Sequence, residues 1–241
     1  MRCPHSSQTV RLVVLALTLG PAVAAGNDLV PPPAERPSVN ILLEDQFRNR
    51  RGTEQLRGDV VVLVYAERHG AKAAVELGRR LHLQFHPTAE VVPPDEWSTQ
   101  PVVGLAGWPA DVPAPDVHVI PIACVPEVPK SLHAVARMRL RQESPHVSVW
   151  LDFDDVLRQT FGLVPAEPNV ALIDADGRPA QVTAGQADDR RFQDLVAAID
   201  RLRSCVRPDQ RTATRSAAVI PASAPSPGRP VEGVVVAGSP P

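Results

Sequence analysis

One stretch constrains this chain more than any other: Gly58-Asp59-Val60-Val61-Val62-Leu63-Val64-Tyr65-Ala66-Glu67-Arg68-His69-Gly70-Ala71-Lys72. The unbroken apolar run from Val60 to Tyr65 has no polar face to show water, so it reads as a strand covered on both sides. It emerges from a glycine turn and breaks into a second turn and a helix. In α/β folds this junction, at the carboxyl end of a central strand and the amino end of a helix, is where ligands and reactive groups are usually placed. The question is what chemistry sits there.

The rest of the chain supplies partners for that strand. Residues 40–43 and 53–56, across the polar segment 45–50, read as a hairpin leading into it. Residues 71–85 form an amphipathic helix, with Ala74, Leu77, Leu81 and Phe85 on one side and Lys72, Glu76, Arg79 and Arg80 on the other; Pro87 ends it. Residues 88–115, rich in Pro, Gly and Trp, are longer than an ordinary connection and form an inserted loop at about 87–116. A second buried strand covers 117–125, and Pro121 within it favours an edge or bulged position. A second helix covers 130–142, with Leu132, Val135 and Leu140 inward and Arg137, Arg139 and Arg141 exposed. A short strand at 147–151 and a short helix at 154–161, closed by Gly162, come next. Then come a third main strand at 169–174, a tight turn at 174–177, an antiparallel return at 179–183 and a final amphipathic helix at 188–203.

Both ends differ from this core. Residues 1–24 carry Arg2 and Arg11, an apolar run from Leu12 to Leu19, and Ala22-Val23-Ala24, the pattern of a cleaved secretory signal. The run is too short to span a bilayer, so the expected relation to membrane is transient, through export alone, and the expected location is periplasmic or secreted. Residues 25–39 are a Pro-rich lead-in, 40–206 the folded domain, and 207–241 a Pro/Ala-rich tail expected to be disordered. Cleavage after Ala24 would leave 23 of the 25 basic residues against 27 acids. A mildly acidic chain is a poor partner for nucleic acid. Only Cys124 and Cys205 would remain, with no C-x-x-C pair and no zinc spacing.

The element order, together with local phrases, resembles the thioredoxin-like superfamily and within it the redoxin branch of peroxiredoxin-like, TlpA-like and SCO-like domains. The phrases are Asp45-Gln46 through Leu56-Arg57-Gly58-Asp59-Val60, then Asp152 through Phe161-Gly162-Leu163, then Glu167-Pro168-Asn169 through Asp174-Ala175-Asp176-Gly177. The resemblance covers about residues 40 to 204. It implies an α/β fold with a central mixed sheet, helices on both faces and an N-terminal hairpin, and it makes Pro168 a cis-proline beside the junction. It also exposes a departure. Where the family carries its reactive cysteine or cysteine pair, this chain has Arg68-His69-Gly70-Ala71-Lys72, and a thiolate is the nucleophile in that redox chemistry.

Several residues remain as candidates. Cys124, at the carboxyl end of the second strand, lies on the same end of the sheet as the turn, where His69 could lower its pKa; the competing reading is a small buried apolar residue. The final helix, rising about 24 Å, carries Cys205 to the other end, beyond the roughly 7 Å a disulfide allows, so two free thiols are expected. His82 and His86 are four apart on the first helix, a possible metal pair without an evident third ligand, against solvated histidines at a helix end. Arg68, His69 and Lys72 make the turn basic, and with Glu167 and Pro168 they form the candidate partner-binding surface, joined by the inserted loop. Trp150 reads as core, and Trp97 and Trp108 as anchors of that loop. No metal and no cofactor is implied. The expected function is an exported, non-catalytic binding or assembly module whose partner is another envelope or secreted protein. The alternatives are a thiol-dependent oxidoreductase or antioxidant protein using Cys124, and a scaffold in which the tail is the working part.

Overall fold

The computed structural model describes residues 36–208. Its strands are β1 (Leu42–Asp45), β2 (Arg50–Gly52), β3 (Val60–Ala66), β4 (Val117–Cys124), β5 (Trp150–Asp152), β6 (Asn169–Ile173) and β7 (Pro179–Ala184). Its helices are α1 (Ala71–Phe85), α2 (His133–Glu143), α3 (Val156–Phe161) and α4 (Asp189–Ser204). The strands form one seven-stranded sheet in the order β2-β1-β5-β4-β3-β6-β7. β3 runs parallel to β4, β4 parallel to β5, and β6 antiparallel to β3, with Tyr65 opposite Asn169 and Val61 opposite Ile173. The expected signal segment, most of the lead-in and nearly all of the tail lie outside the described residues. The end of the lead-in is docked: the Arg36 guanidinium donates to the carbonyls of Pro179 and Ala180, both at 2.7 Å.

β3 is buried along its whole length because side chains alternate across the sheet into two cores. Val60, Val62, Val64 and Ala66 join Leu77, Leu81, Phe85, Leu195 and Ile199 under α1 and α4. Val61, Leu63 and Tyr65 join Ile41, Ile122, Trp150 and Leu157 on the opposite face. Helix starts are satisfied by carboxylates: Asp152 accepts from the amides of Val156 and Leu157 at 2.9 and 2.8 Å, and Asp188 from that of Arg191 at 2.8 Å. Gly177, at φ 73, closes the β6–β7 turn in a conformation that L side chains rarely adopt. No helix among the described residues is long and apolar enough to cross a membrane.

Three expectations need correction. β4 is an interior strand. Pro121 is tolerated there because β5 pairs with β4 only from Ile122 onward, which leaves residues 117–121 a local edge on that side. The inserted loop, which includes 3₁₀ turns at Pro87–Val91 and Pro94–Thr99, lies at the end of the sheet opposite the Arg68–Lys72 turn. It connects the far end of α1 to the start of β4, so it cannot share a surface with that turn. Its anchor is Arg203, fully buried at 0% exposure near the end of α4; the guanidinium donates to the carbonyls of Pro115 at 2.9 Å and Val103 at 2.6 Å. Finally, α2 departs from its sequence pattern in part: Leu140 is half-buried and Arg139 and Arg141 are exposed as expected, but Leu132 and Val135 face out. No residue of α2 is buried, Val135 and Met138 are each 52% exposed, and it is Arg137 that points inward, to Glu44 of β1 at 2.8 Å and over the Phe153 ring.

Candidate functional site

The junction is built as the sequence implies, and it is packed tightly. β3 ends at Ala66, and the turn closes through the Gly70 amide donating to the Glu67 carbonyl at 3.1 Å. Gly70 caps α1 with φ −87 and ψ −7, an ordinary conformation, so glycine is required there for space. A Cβ at Gly70 would lie 2.7 Å from the Glu167 carbonyl oxygen and 2.8 Å from its carbon. The loop preceding β6 is thus pressed against the start of α1. Asn169 holds that loop: its side-chain oxygen accepts from the Val164 amide at 2.8 Å, and its side-chain nitrogen donates to the carbonyls of Glu167 at 2.9 Å and Val164 at 3.2 Å. Pro168 is buried in this contact, but no peptide bond among the described residues is cis, so the expected cis-proline is corrected to a trans one. Here the bend comes from Ala166, at φ 62, and from the Asn169 staple.

Arg68, His69 and Lys72 are exposed around this contact, and Glu167 is half-buried beside it. Glu67 does not balance their charge, because its carboxylate takes Arg158 of α3 at 2.5 Å, and Arg158 also holds Asp155 at 2.9 Å. Sequence reasoning missed this network; Asp155 and Arg158 at i and i+3 were its available signal.

Cys124 sits one strand away at the same end, paired across the sheet with Asp152. It is 3% exposed, and burial, together with the negative charges of Asp152, Asp155 and Glu67, pushes its thiol up to about 12 despite the opposing Arg158. No hydrogen bond joins it to His69 among the described residues. Its neighbour Tyr65 is raised as well, by burial and then by Cys124, and the phenol donates to the Gly162 carbonyl at 2.8 Å. Cys205 is exposed beyond α4, at the other end of the domain, and both thiols are free.

The two helix histidines also lie at that other end, and they are not solvated as the sequence suggests. His86 is 4% exposed, its Nε2 is 2.9 Å from an Asp116 oxygen, and its ring stacks on that of His82 at 4.5 Å. His82 in turn stacks on Trp97 at 5.4 Å, and its buried Nε2 has no hydrogen-bond partner among the described residues. A second pair, His118 with Asp59 at 3.1 Å, lies beside them, since Asp59 also accepts from the Asp116 amide at 2.8 Å. Among the described residues no group of three or more His, Cys, Asp or Glu is arranged to hold a metal ion. Trp150 is core, as expected; Trp97 and Trp108 tie the inserted loop to itself through the carbonyls of Val92 and Val112.

The order β4-β3-β6-β7, with α1 crossing from β3 to its parallel neighbour and α4 closing the antiparallel pair, places the β3–α1 turn against the loop before β6. The fold is thioredoxin-like. No cysteine lies in its β3–α1 turn. Solved structures similar to this chain include the exposed lipoprotein thioredoxin Etrx1 of Streptococcus pneumoniae, at 15% identity over 66% of this chain and 98% of that one, with a TM-score of 0.42. A secreted thiol-disulfide isomerase from Corynebacterium glutamicum matches at 14% identity over 70% and 85%, also with a TM-score of 0.42. BsSco, of the Sco family of cytochrome c oxidase assembly proteins, matches at 11% identity over 73% and 98%, again at 0.42. A scan against protein-family models and a search of curated proteins give no match.

Proposed function

We propose that this chain is an exported binding or assembly module, non-catalytic, that meets another envelope or secreted protein through the junction end of its sheet. The observation that carries the reading is the state of the one thiol at that end. Cys124 is 3% exposed, and burial together with the carboxylates around it raises its thiol to about 12, so it stays protonated at neutral pH. A buried thiol so rarely ionised does not serve as a nucleophile, and this weighs against the oxidoreductase alternative. The surface offered to a partner is Arg68, His69 and Lys72 around the Gly70–Glu167 contact, with Pro168 beneath and Val164, 48% exposed, at the rim. Its charge favours an acidic partner segment. The inserted loop, at the other end, has no share in it.

The test has two arms. Insulin reduction in the presence of dithiothreitol should proceed at the background rate for the wild type and for Cys124→Ser alike. Immobilised full-length protein should retain a partner from the envelope fraction, and an Arg68→Glu, Lys72→Glu double variant should lose it. Turnover that disappears with Cys124→Ser would overturn the reading in favour of thiol chemistry.

A further inference from the structure

The outer face of α2 departs from the usual pattern of a surface helix. An α-helix in a globular domain normally turns its apolar side to the core. α2 does so only in part, since Ala136 and Leu140 are half-buried while Val135 and Met138 face out. His133 stacks on the Phe153 ring at 3.7 Å, Arg137 reaches Glu44, and His133, Ala136, Arg137 and Leu140 form the half-buried inner side. At 3.6 residues per turn, the opposite side is then Val135, Met138 and Gln142. These positions are spaced three and four apart, as the a, d and a positions of a heptad are. The two residues that flank such a seam, at its e and g positions, are Arg139 and Arg141, both exposed. Leu132, 49% exposed, and the exposed base Lys130 lie just ahead of α2. No described residue covers this face.

We propose that the outer face of α2 docks an amphipathic helix of a partner protein whose apolar seam is flanked by carboxylates. The charge pattern chooses the occupant. Charges at e and g set partner choice in paired helices; here both flanking positions are arginine, and the exposed Arg139–Glu143 pair at 2.7 Å is of a weak kind that leaves Arg139 able to meet a partner's carboxylate. A second copy of the chain would bring arginine against arginine, which disfavours self-pairing. A lipid surface is a poorer match, because interfacial helices carry a wide apolar face, commonly with an aromatic residue, sunk below the headgroups. The strip here is narrow and aliphatic, and Val135 and Met138 are only half exposed. This surface is independent of the junction and stands or falls separately from it.

The probe is a fluorescent helical peptide with leucine at a and d and glutamate at e and g, titrated into the full chain and followed by anisotropy. The control peptide has lysine in place of glutamate. The glutamate peptide should bind and the lysine peptide should not. Met138→Glu should weaken binding at least tenfold, and an Arg139→Glu, Arg141→Glu variant should reverse the preference so that the lysine peptide binds. This gain of binding guards against variants that merely fail to fold. Equal binding of both peptides, or binding of neither, overturns the proposal. Cosedimentation with phosphatidylglycerol vesicles lost in the double variant would assign the face to lipid instead, and a dimer in sedimentation abolished by Met138→Glu would assign it to a second copy.

Discussion

Protonation of His82 should cost the domain stability in a defined pH window. Burial is the largest cause holding its proton affinity down, and the charge His86 would carry beside it adds to this; Asp116 and the Trp97 backbone pull the other way, and the result is about 4 against an ordinary 6.5. The unfolded chain therefore takes up this proton at higher pH than the folded one does. Stability from His82 is fully present above pH 6.5 and is lost as the pH falls from 6.5 towards 4. At ~1.4 kcal/mol per tenfold change in proton affinity, and with allowance for a partly exposed ring, the loss is about 2–3 kcal/mol. Asp116 titrates elsewhere. Burial pushes it up, but the His86 hydrogen bond and the His118 charge hold it at about 2, so its contribution is lost only as the pH falls below about 4.

Urea unfolding followed by tryptophan fluorescence at pH 7.5, 6.5, 5.5 and 4.5, for wild type and His82→Phe, isolates the group. Phenylalanine keeps the ring between His86 and Trp97 but takes no proton. The wild type should lose stability across this range relative to the variant, by about 2 kcal/mol or more at pH 4.5. Parallel curves for the two proteins would show that His82 protonates freely in the folded state, and the reading of a stacked, solvent-poor ring would be wrong.

Other substitutions probe the two ends of the domain. Arg203→Met strands the buried carbonyl of Pro115 and removes the bond to the more exposed one of Val103, and should destabilise by about 1–3 kcal/mol, with new protease cleavage between residues 100 and 115; an unchanged digest would dissociate Arg203 from the loop. Gly70→Ala, with its Cβ 2.7 Å from a backbone oxygen, should cost about 1–3 kcal/mol in a urea melt, and a neutral result would mean the loop before β6 yields freely. Maleimide at pH 7.5 should modify exposed Cys205 in the native protein and reach Cys124 only on unfolding, as read by intact mass; prompt double labelling would contradict the burial of Cys124.

Much of the fold is legible in the sequence, and the limits are physical. β3 and α1 are legible because each is specified by its own residues: an apolar run flanked by turns, and an apolar stripe at helical spacing ended by Pro87. α2 is not, because its orientation depends on partners distant in sequence, such as Glu44. Leu132, Val135 and Leu140 fit an inward stripe as well as any local pattern does, and only the placement of Arg137 against Glu44 and Phe153 shows that two of them face out. The end on which the inserted loop lies could have been deduced. A helix that crosses between parallel strands returns the chain to the end where the first strand began, so a connection following α1 must lie opposite the junction. The loop before β6 is shaped by Ala166 at positive φ and by the Asn169 side chain, neither of which the local sequence announces.

The candidate site separates geometry from chemistry. Gly70 is required by the approach of Glu167, whatever the turn beside it does, so a junction of this shape is no sign of a reaction. The chemistry would have to come from side chains at its rim, and those are two bases and a histidine facing water, with the nearest thiol sealed behind three carboxylates. A carboxylate cluster of this kind, made of Glu67, Asp152 and Asp155, disfavours a thiolate and at the same time anchors α3 through Arg158 and the Asp152 cap. Burial first, and then the same charges that hold the end of the sheet together, therefore keep Cys124 protonated.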